Sequence, residues 1–266
     1  MIFSKFRPLE HNGGNQIYGL DKKLKDDKFT NNYRFGEILK TSKLHASTFD
    51  KFNDIDEGRF CISVDYKKGQ NIIQEIRNMK KEKFICSFSC PNGKNFCEDL
   101  MWAFYANNHC GVKIDFEIDE PLPNDISPIT YTDKEIEIKI QQYISENSPT
   151  TIKIEQYIKE KLNLLPQILL TQKKSCWKYE QEYRTFVETD KFDINIKKIT
   201  LGKKFAILNE TNAIIEAQPF TENIISVAKQ IIEILKNTDK YKDKLPEIWA
   251  YKSLYSTEAQ KLSDNL

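Results

Sequence analysis

Two hydrophobic periods coexist in this chain, and together they constrain its fold more than any other feature. Val112, Ile114, Phe116 and Ile118 alternate with polar residues, which is the two-residue period of a half-buried strand. Ile224, Ile225, Ala228, Ile231, Ile232 and Leu235 recur instead at the spacing of an amphipathic helix. Other segments carry one period or the other, without regular strand–helix alternation. This favours an α+β fold over a doubly wound sheet, with a central, mostly antiparallel sheet flanked by helices.

The remaining elements follow from the same logic. Phe35, Ile38 and Leu39 suit a helical turn or two, Leu44 to Ser47 a short strand, and Ile72, Ile73, Ile76 and Met79 a helix. Lys83 to Cys90 reads as a strand closed by the Pro91-Asn92-Gly93 turn. Leu100 to Ala106 is a compact apolar helix, after which Gly111 suits a left-handed position. Two helices are expected between Thr132 and Leu165, the first with a capping box of Thr132 and Glu135. Glu182 to Glu188 and Ile194 to Leu201 read as strands, the second stopped by Gly202. Residues 217–266 form a helical extension, loosely patterned beyond Asn237. No repeat and no linker rich in Gly, Ser or Pro divides the chain, so residues 1–266 are expected to form one domain.

Charge narrows the function. Forty Lys and Arg oppose 39 Asp and Glu, a net charge of +1, which argues against a general electrostatic binder of nucleic acid or membrane. No stretch approaches the roughly 20 apolar residues of a membrane span. The opening Met1 to Arg7 lacks the apolar core and cleavage site of a signal peptide. The expected location is cytoplasmic. There the six cysteines stay reduced, and they read as small apolar side chains, not zinc ligands, since no C-x-x-C pair occurs.

The densest chemistry lies in Trp177-Lys178-Tyr179-Glu180-Gln181-Glu182-Tyr183-Arg184. On a strand, Lys178, Glu180, Glu182 and Arg184 share one face and Trp177, Tyr179 and Tyr183 the other. Two acids so close need cations to offset their repulsion, and such a pair can divide the work between charge stabilisation and proton transfer. The competing account is a solvated face with Lys178–Glu182 and Glu180–Arg184 pairs. Asn53, Asp54 and Glu57 could hold a divalent cation, although Asx turns explain the same residues. Trp102 and Tyr105 share a helical face, with His109 just beyond it. No P-loop, G-x-G-x-x-G or H-E-x-x-H sequence occurs.

Taken in order, these segments resemble a bacterial family of unknown function, domain-of-unknown-function family 2971. The residues that carry the resemblance are Lys5-Phe6-Arg7, Leu44 to Ser47, Phe52-Asn53-Asp54 with Glu57, Cys86 to Ser89, and Met101-Trp102 with Tyr105, His109 and Gly111. Lys174, Trp177, Glu180, Glu182, Tyr183 and Arg184 complete the set. The likeness spans residues 2 to about 205. Ile55 and Phe104 stand where the family has Pro and His, and residues 9 to 32 resemble an insertion.

Within it, Arg7, Ser47-Thr48 and Glu180-Gln181-Glu182 are similar in order to the Arg, Ser-Thr and Glu-x-Glu layout of ADP-ribosyltransferases. That resemblance implies NAD as substrate, no metal, and a corresponding fold. Arg7 would bind pyrophosphate and Ser47 would orient the site. Glu182 would stabilise the ribosyl cation and Glu180 would activate the acceptor. Tyr33 or Trp102 would stack on nicotinamide. The implied setting is a bacterial toxin or phage-defence module acting on nucleic acid, protein or NAD, with a possible antitoxin or defence partner. Two alternatives come from other classes. One is a Mg²⁺-dependent nuclease using Asn53, Asp54, Glu57 and Glu180 or Glu182. The other is a non-catalytic sensor whose Trp102, Tyr105 and Trp177 line an interface.

Overall fold

The computed structural model describes residues 1–10, 19–20, 30–52, 60–62, 73–74, 77–78, 80–119, 126–134, 136–138, 165–206 and 220–262. Its elements begin with β1 (Phe3–Arg7), α1 (Thr30–Thr41), β2 (Lys43–His45), β3 (Ser47–Thr48), β4 (Phe60–Ile62) and β5 (Phe84–Ser89). There follow α2 (Glu98–Tyr105), β6 (Val112–Glu117), β7 (Ser127–Pro128), β8 (Thr130–Tyr131), β9 (Ile136–Ile138) and α3 (Leu165–Leu169). The last are β10 (Gln172–Lys173), β11 (Glu182–Val187), β12 (Lys191–Asp193), β13 (Asn195–Leu201), α4 (Glu222–Lys236), β14 (Glu247–Ala250) and β15 (Gln260–Lys261).

The chain is α+β with mostly antiparallel pairing. Its residues gather into two compact units built from separate stretches. One comprises Met1–Leu44, Phe88–Leu122 and Asp193–Leu266, the other His45–Ser87 and Pro123–Phe192. Because the chain passes between units repeatedly, no single linker marks a boundary. No described helix is long and apolar enough to cross a membrane.

In the first unit the strands run in the order β15, β14, β13, β6, β1, with the end of β5 beside β1 at Ser89. All pairs are antiparallel except β13 with β14. One face carries Phe3, Phe88 and Phe116, with ring centroids 4.7 Å apart for the first pair and 5.6 Å for the last. Helices α1 and α4 pack together, burying Phe35, Ile38 and Leu39 of one, and Ile224, Val227, Ala228, Ile231 and Leu235 of the other. The Thr221 hydroxyl caps α4 by accepting from the Ile224 N–H at 3.3 Å. Both helices lie where the periodicity puts them.

Four expectations change. The strand β6 is not half-buried, because its polar members Lys113 and Asp115 are buried as well. As a central strand it has both faces covered, and α2 supplies Glu98 to receive the Lys113 ammonium at 2.9 Å. Second, the left-handed positions after α2 are Asn107, Asn108 and His109, not Gly111. The Asn108 and His109 N–H groups donate to the Ala103 and Trp102 carbonyls of α2, while a Cβ at Gly111 would lie 2.0 Å from the Arg7 carbonyl oxygen. Space, not φ, requires that glycine.

Third, the tail beyond Asn237 is not loose. Glu247–Ala250 pairs in parallel with Lys198–Leu201, and α4 is the crossover such a connection needs. Two buried apolar residues, Ile248 and Ala250, are too few to show a period. Fourth, the capping box at Thr132 starts no helix. Thr132 accepts from the Lys134 N–H in a local turn, and Ile136–Ile138 is a strand pairing in parallel with Phe60–Ile62 in the second unit. The second expected helix falls mostly outside the described residues, as does most of the one at Ile72 to Met79.

Candidate functional site

In the second unit, the two-residue strand β10 pairs in parallel with β8, setting Lys173 opposite Tyr131. A 3-10 helix, Ser175–Glu180, follows, and Gln181 leaves it in a left-handed conformation at φ 44°. The strand β11 starts directly afterwards. Glu180 and Glu182 are therefore not two alternate residues of one strand. The left-handed residue between them turns the chain, and both carboxylates reach the same ammonium.

Lys173 Nζ lies 2.7 Å from Glu180 Oε2 and 3.2 Å from Glu182 Oε2. Arg184 grips Glu182 from the other side, Nε to Oε1 at 2.7 Å and Nη2 to Oε2 at 3.2 Å, and donates through Nη1 to the Leu170 carbonyl at 2.6 Å. Relative exposures are 9 % for Lys173, 3 % for Glu180, 7 % for Glu182 and 1 % for Arg184. Charged groups this buried persist only when paired, and among the described residues two acids here meet two bases. Aromatic rings complete the enclosure. The Arg184 guanidinium sits 4.9 Å from the Phe52 ring centroid and the Lys173 ammonium 4.8 Å from that of Trp177. The Tyr131 hydroxyl accepts from the Glu182 N–H at 2.7 Å. Burial, helped by the Glu182 and Glu180 carboxylates, holds that phenol well above its usual pKa, so it stays neutral.

The solvated-face arrangement does not form in full. Lys178 is exposed and makes no ion pair among the described residues, and Glu182 turns inward. Lysine recognition slips by one residue: Lys174 is exposed, and Lys173 is the side chain between the acids. Neither Lys173 nor Tyr131 was visible in the sequence, because two-residue strands carry no period.

The other expected residues divide between the units. Ser47 belongs to the second, half-buried on β3 opposite Ile85 of β5. Arg7 ends β1, Tyr33 lies on α1 with the Lys40 ammonium 6.0 Å from its ring centroid, and Tyr105 closes α2, all in the first unit. Asn53, Asp54 and Glu57 lie outside the described residues.

Trp102 and His109 come together in the first unit, their rings stacked at 5.3 Å and 16°. Trp102 is fully buried, with its Nε1 donating to Glu98 Oε1 at 3.1 Å. Burial, then the Lys203 charge, lowers the His109 pKa, while burial and Glu98 push the Tyr251 phenol up to about 12. From Glu98 the polar chain continues through Lys113 to Asp115, which also receives the Ser4 hydroxyl at 2.5 Å and the Lys198 ammonium at 3.0 Å. A cleft of about 530 Å³ between α1 and α4, lined by Lys40, Gln230 and Glu233 among others, shares no residue with either cluster.

Residues 101–185 match a family described as a protein of unknown function, DUF2971. This segment is similar to DUF2971. It contains the Trp102–His109 stack and Lys173, Glu180, Glu182 and Arg184, so both polar clusters draw on it. The earlier motifs, from Lys5-Phe6-Arg7 to Cys86–Ser89, lie before the matched DUF2971 segment. No curated protein and no solved structure matches the chain.

Proposed function

We propose that this chain breaks the bond between nicotinamide and ribose in NAD and passes the ADP-ribosyl group to an acceptor or to water. One observation carries the reading: two buried carboxylates from the Glu-x-Glu sequence converge within the second unit. When the C–N bond breaks, nicotinamide leaves with the electron pair and the ribose acquires oxocarbenium character, which a desolvated carboxylate stabilises.

Glu182 is the residue for that role. It accepts three hydrogen bonds from Arg184 and Lys173. A carboxylate offers about four acceptor positions, which leaves one for a ribose hydroxyl. Glu180, its partner on Lys173, takes the acceptor's proton. Arg184 and Tyr131 fix the backbone and carboxylate of Glu182 in place.

The test is incubation of the full chain with NAD, reading nicotinamide release and the melting temperature. Release that falls at least about 100-fold in Glu182→Gln, with the fold intact, supports the reading. No release, together with no rise in melting temperature at millimolar NAD, overturns it, since a ligand at a hundred times its Kd adds about 2.7 kcal/mol.

A further inference from the structure

We infer that the cleft between α1 and α4 is a binding site for a free amino acid with an aliphatic side chain. The cleft lies wholly within the first unit and is independent of the NAD reading. Its volume of about 530 Å³ falls within the range of small-molecule clefts, roughly 300–1,000 Å³. Two contacts shape it. Gly36 lets the Leu20 backbone lie directly on α1, because a Cβ there would fall 1.7 Å from the Leu20 carbonyl oxygen. The Thr238 hydroxyl lies 3.3 Å from the Leu39 carbonyl of α1 and 3.0 Å from the Ile234 carbonyl of α4, so the carboxyl ends of both helices meet beside the cleft.

The lining carries opposite charges on opposite helices. Gln230, Glu233, Ile234 and the cap residue Asn237 recur at the spacing that shares one face of α4, beside its buried stripe. The side chains of Gln230 and Glu233 make no hydrogen bond or ion pair among the described residues. Lys40 faces the cleft from α1 and is exposed. Its 3.5 Å ion pair with Glu37 is of the surface kind, which a second carboxylate displaces at little cost. A ligand with one charge suits only one wall. An anion meets Lys40 but also faces Glu233 and the negative ends of two helices, while a cation meets those groups but faces Lys40. An amino acid carries both charges. Its ammonium belongs beside Glu233 and the helix carboxyl ends, and its carboxylate beside Lys40. The Gln230 amide, both donor and acceptor, serves either end. An aliphatic side chain then lies against Ile234, above the floor that Leu20 provides.

The experiment is a chemical-shift titration of the full chain with leucine, leucinamide, 4-methylpentanoate and glycine. Leucine has both charges and the aliphatic group, leucinamide lacks the carboxylate, 4-methylpentanoate lacks the ammonium, and glycine lacks the side chain. Leucine binds with a Kd of about 1 mM or below, and each single-charge analogue at least about tenfold more weakly. Lys40→Gln and Glu233→Gln give a crossed pattern. Each weakens leucine about tenfold or more, yet Lys40→Gln does not weaken leucinamide and Glu233→Gln does not weaken 4-methylpentanoate. Both side chains are exposed, so both variants are expected to fold, and the comparison of ligands on the wild-type chain stands without them. No shift with leucine at about 10 mM overturns the site. A single-charge analogue that binds as well as leucine overturns the two-charge recognition, and glycine binding as well overturns the aliphatic preference. Leucine binding unchanged in both variants overturns the assignment to this cleft.

Discussion

Arg184 holds Glu182 by both carboxylate oxygens, Nε to Oε1 at 2.7 Å and Nη2 to Oε2 at 3.2 Å, although the two residues are only two apart on β11. Period-two spacing puts their side chains on one face, and the guanidinium curls back over the acid. The pair is buried, so each charge depends on the other. Arg184→Met is expected to lower stability by about 3–5 kcal/mol, because it strands a buried carboxylate. Arg184→Lys recovers only part, lacking the fork. The double variant Arg184→Met with Glu182→Leu costs less than the two single changes added together. Urea denaturation of the wild type and the four variants checks this.

Asp115 gathers the Ser4 hydroxyl and the Lys198 ammonium, with Lys113 3.7 Å away. Asp115→Asn keeps the shape but removes the charge that offsets two ammonium groups, one of them buried. A loss of about 2 kcal/mol is expected, larger than for Ser4→Ala at about 1 kcal/mol, by chemical denaturation.

Gly111 and Gly202 are spaces, not hinges. A Cβ at Gly202 would come within 2.2 Å of the His109 carbonyl oxygen, as the one at Gly111 would with Arg7. Backbone cannot yield cheaply, so each change to Ala is expected to lower stability by about 2 kcal/mol or more, seen as a fall in melting temperature.

Lys80 is buried against the Phe49 ring, its ammonium 3.8 Å from the centroid. Burial, with Arg77 adding repulsion, lowers its pKa from 10.5 to about 8. A lysine whose folded pKa is depressed opposes folding when protonated. That cost is full below about 8 and disappears as pH rises to the unfolded value of 10.5. Lys80→Met should therefore stabilise the protein by about 1–3 kcal/mol at pH 7, less whatever the ring contact contributes. The advantage should shrink between pH 8 and 10.5 in thermal melts across that range.

What the sequence could disclose was whatever repeats over several turns or pleats. Ile224 to Leu235 spans three turns of α4, and Phe84–Ser89 a whole strand, so both were legible. The acid pair was legible as composition but not as geometry. One left-handed residue, Gln181, separates a 3-10 helix from a strand, and no propensity marks it. Polar residues also misled where burial is paid back by partners. Lys113 and Asp115 read as the wet face of β6, and only Glu98, Ser4 and Lys198, far off in sequence, make them interior. Pairings at such separations leave no local trace.

The parallel pairing of β14 with β13 has a consequence for synthesis. Strand β13 is complete at Leu201, yet its neighbour ends only at Ala250, after α4 has formed between them. During translation, an unpaired row of N–H and C=O groups on β13 must wait for about fifty further residues. A ribosome that stalls in this interval releases a polypeptide with a sticky open edge, and chaperones are the natural cover for it.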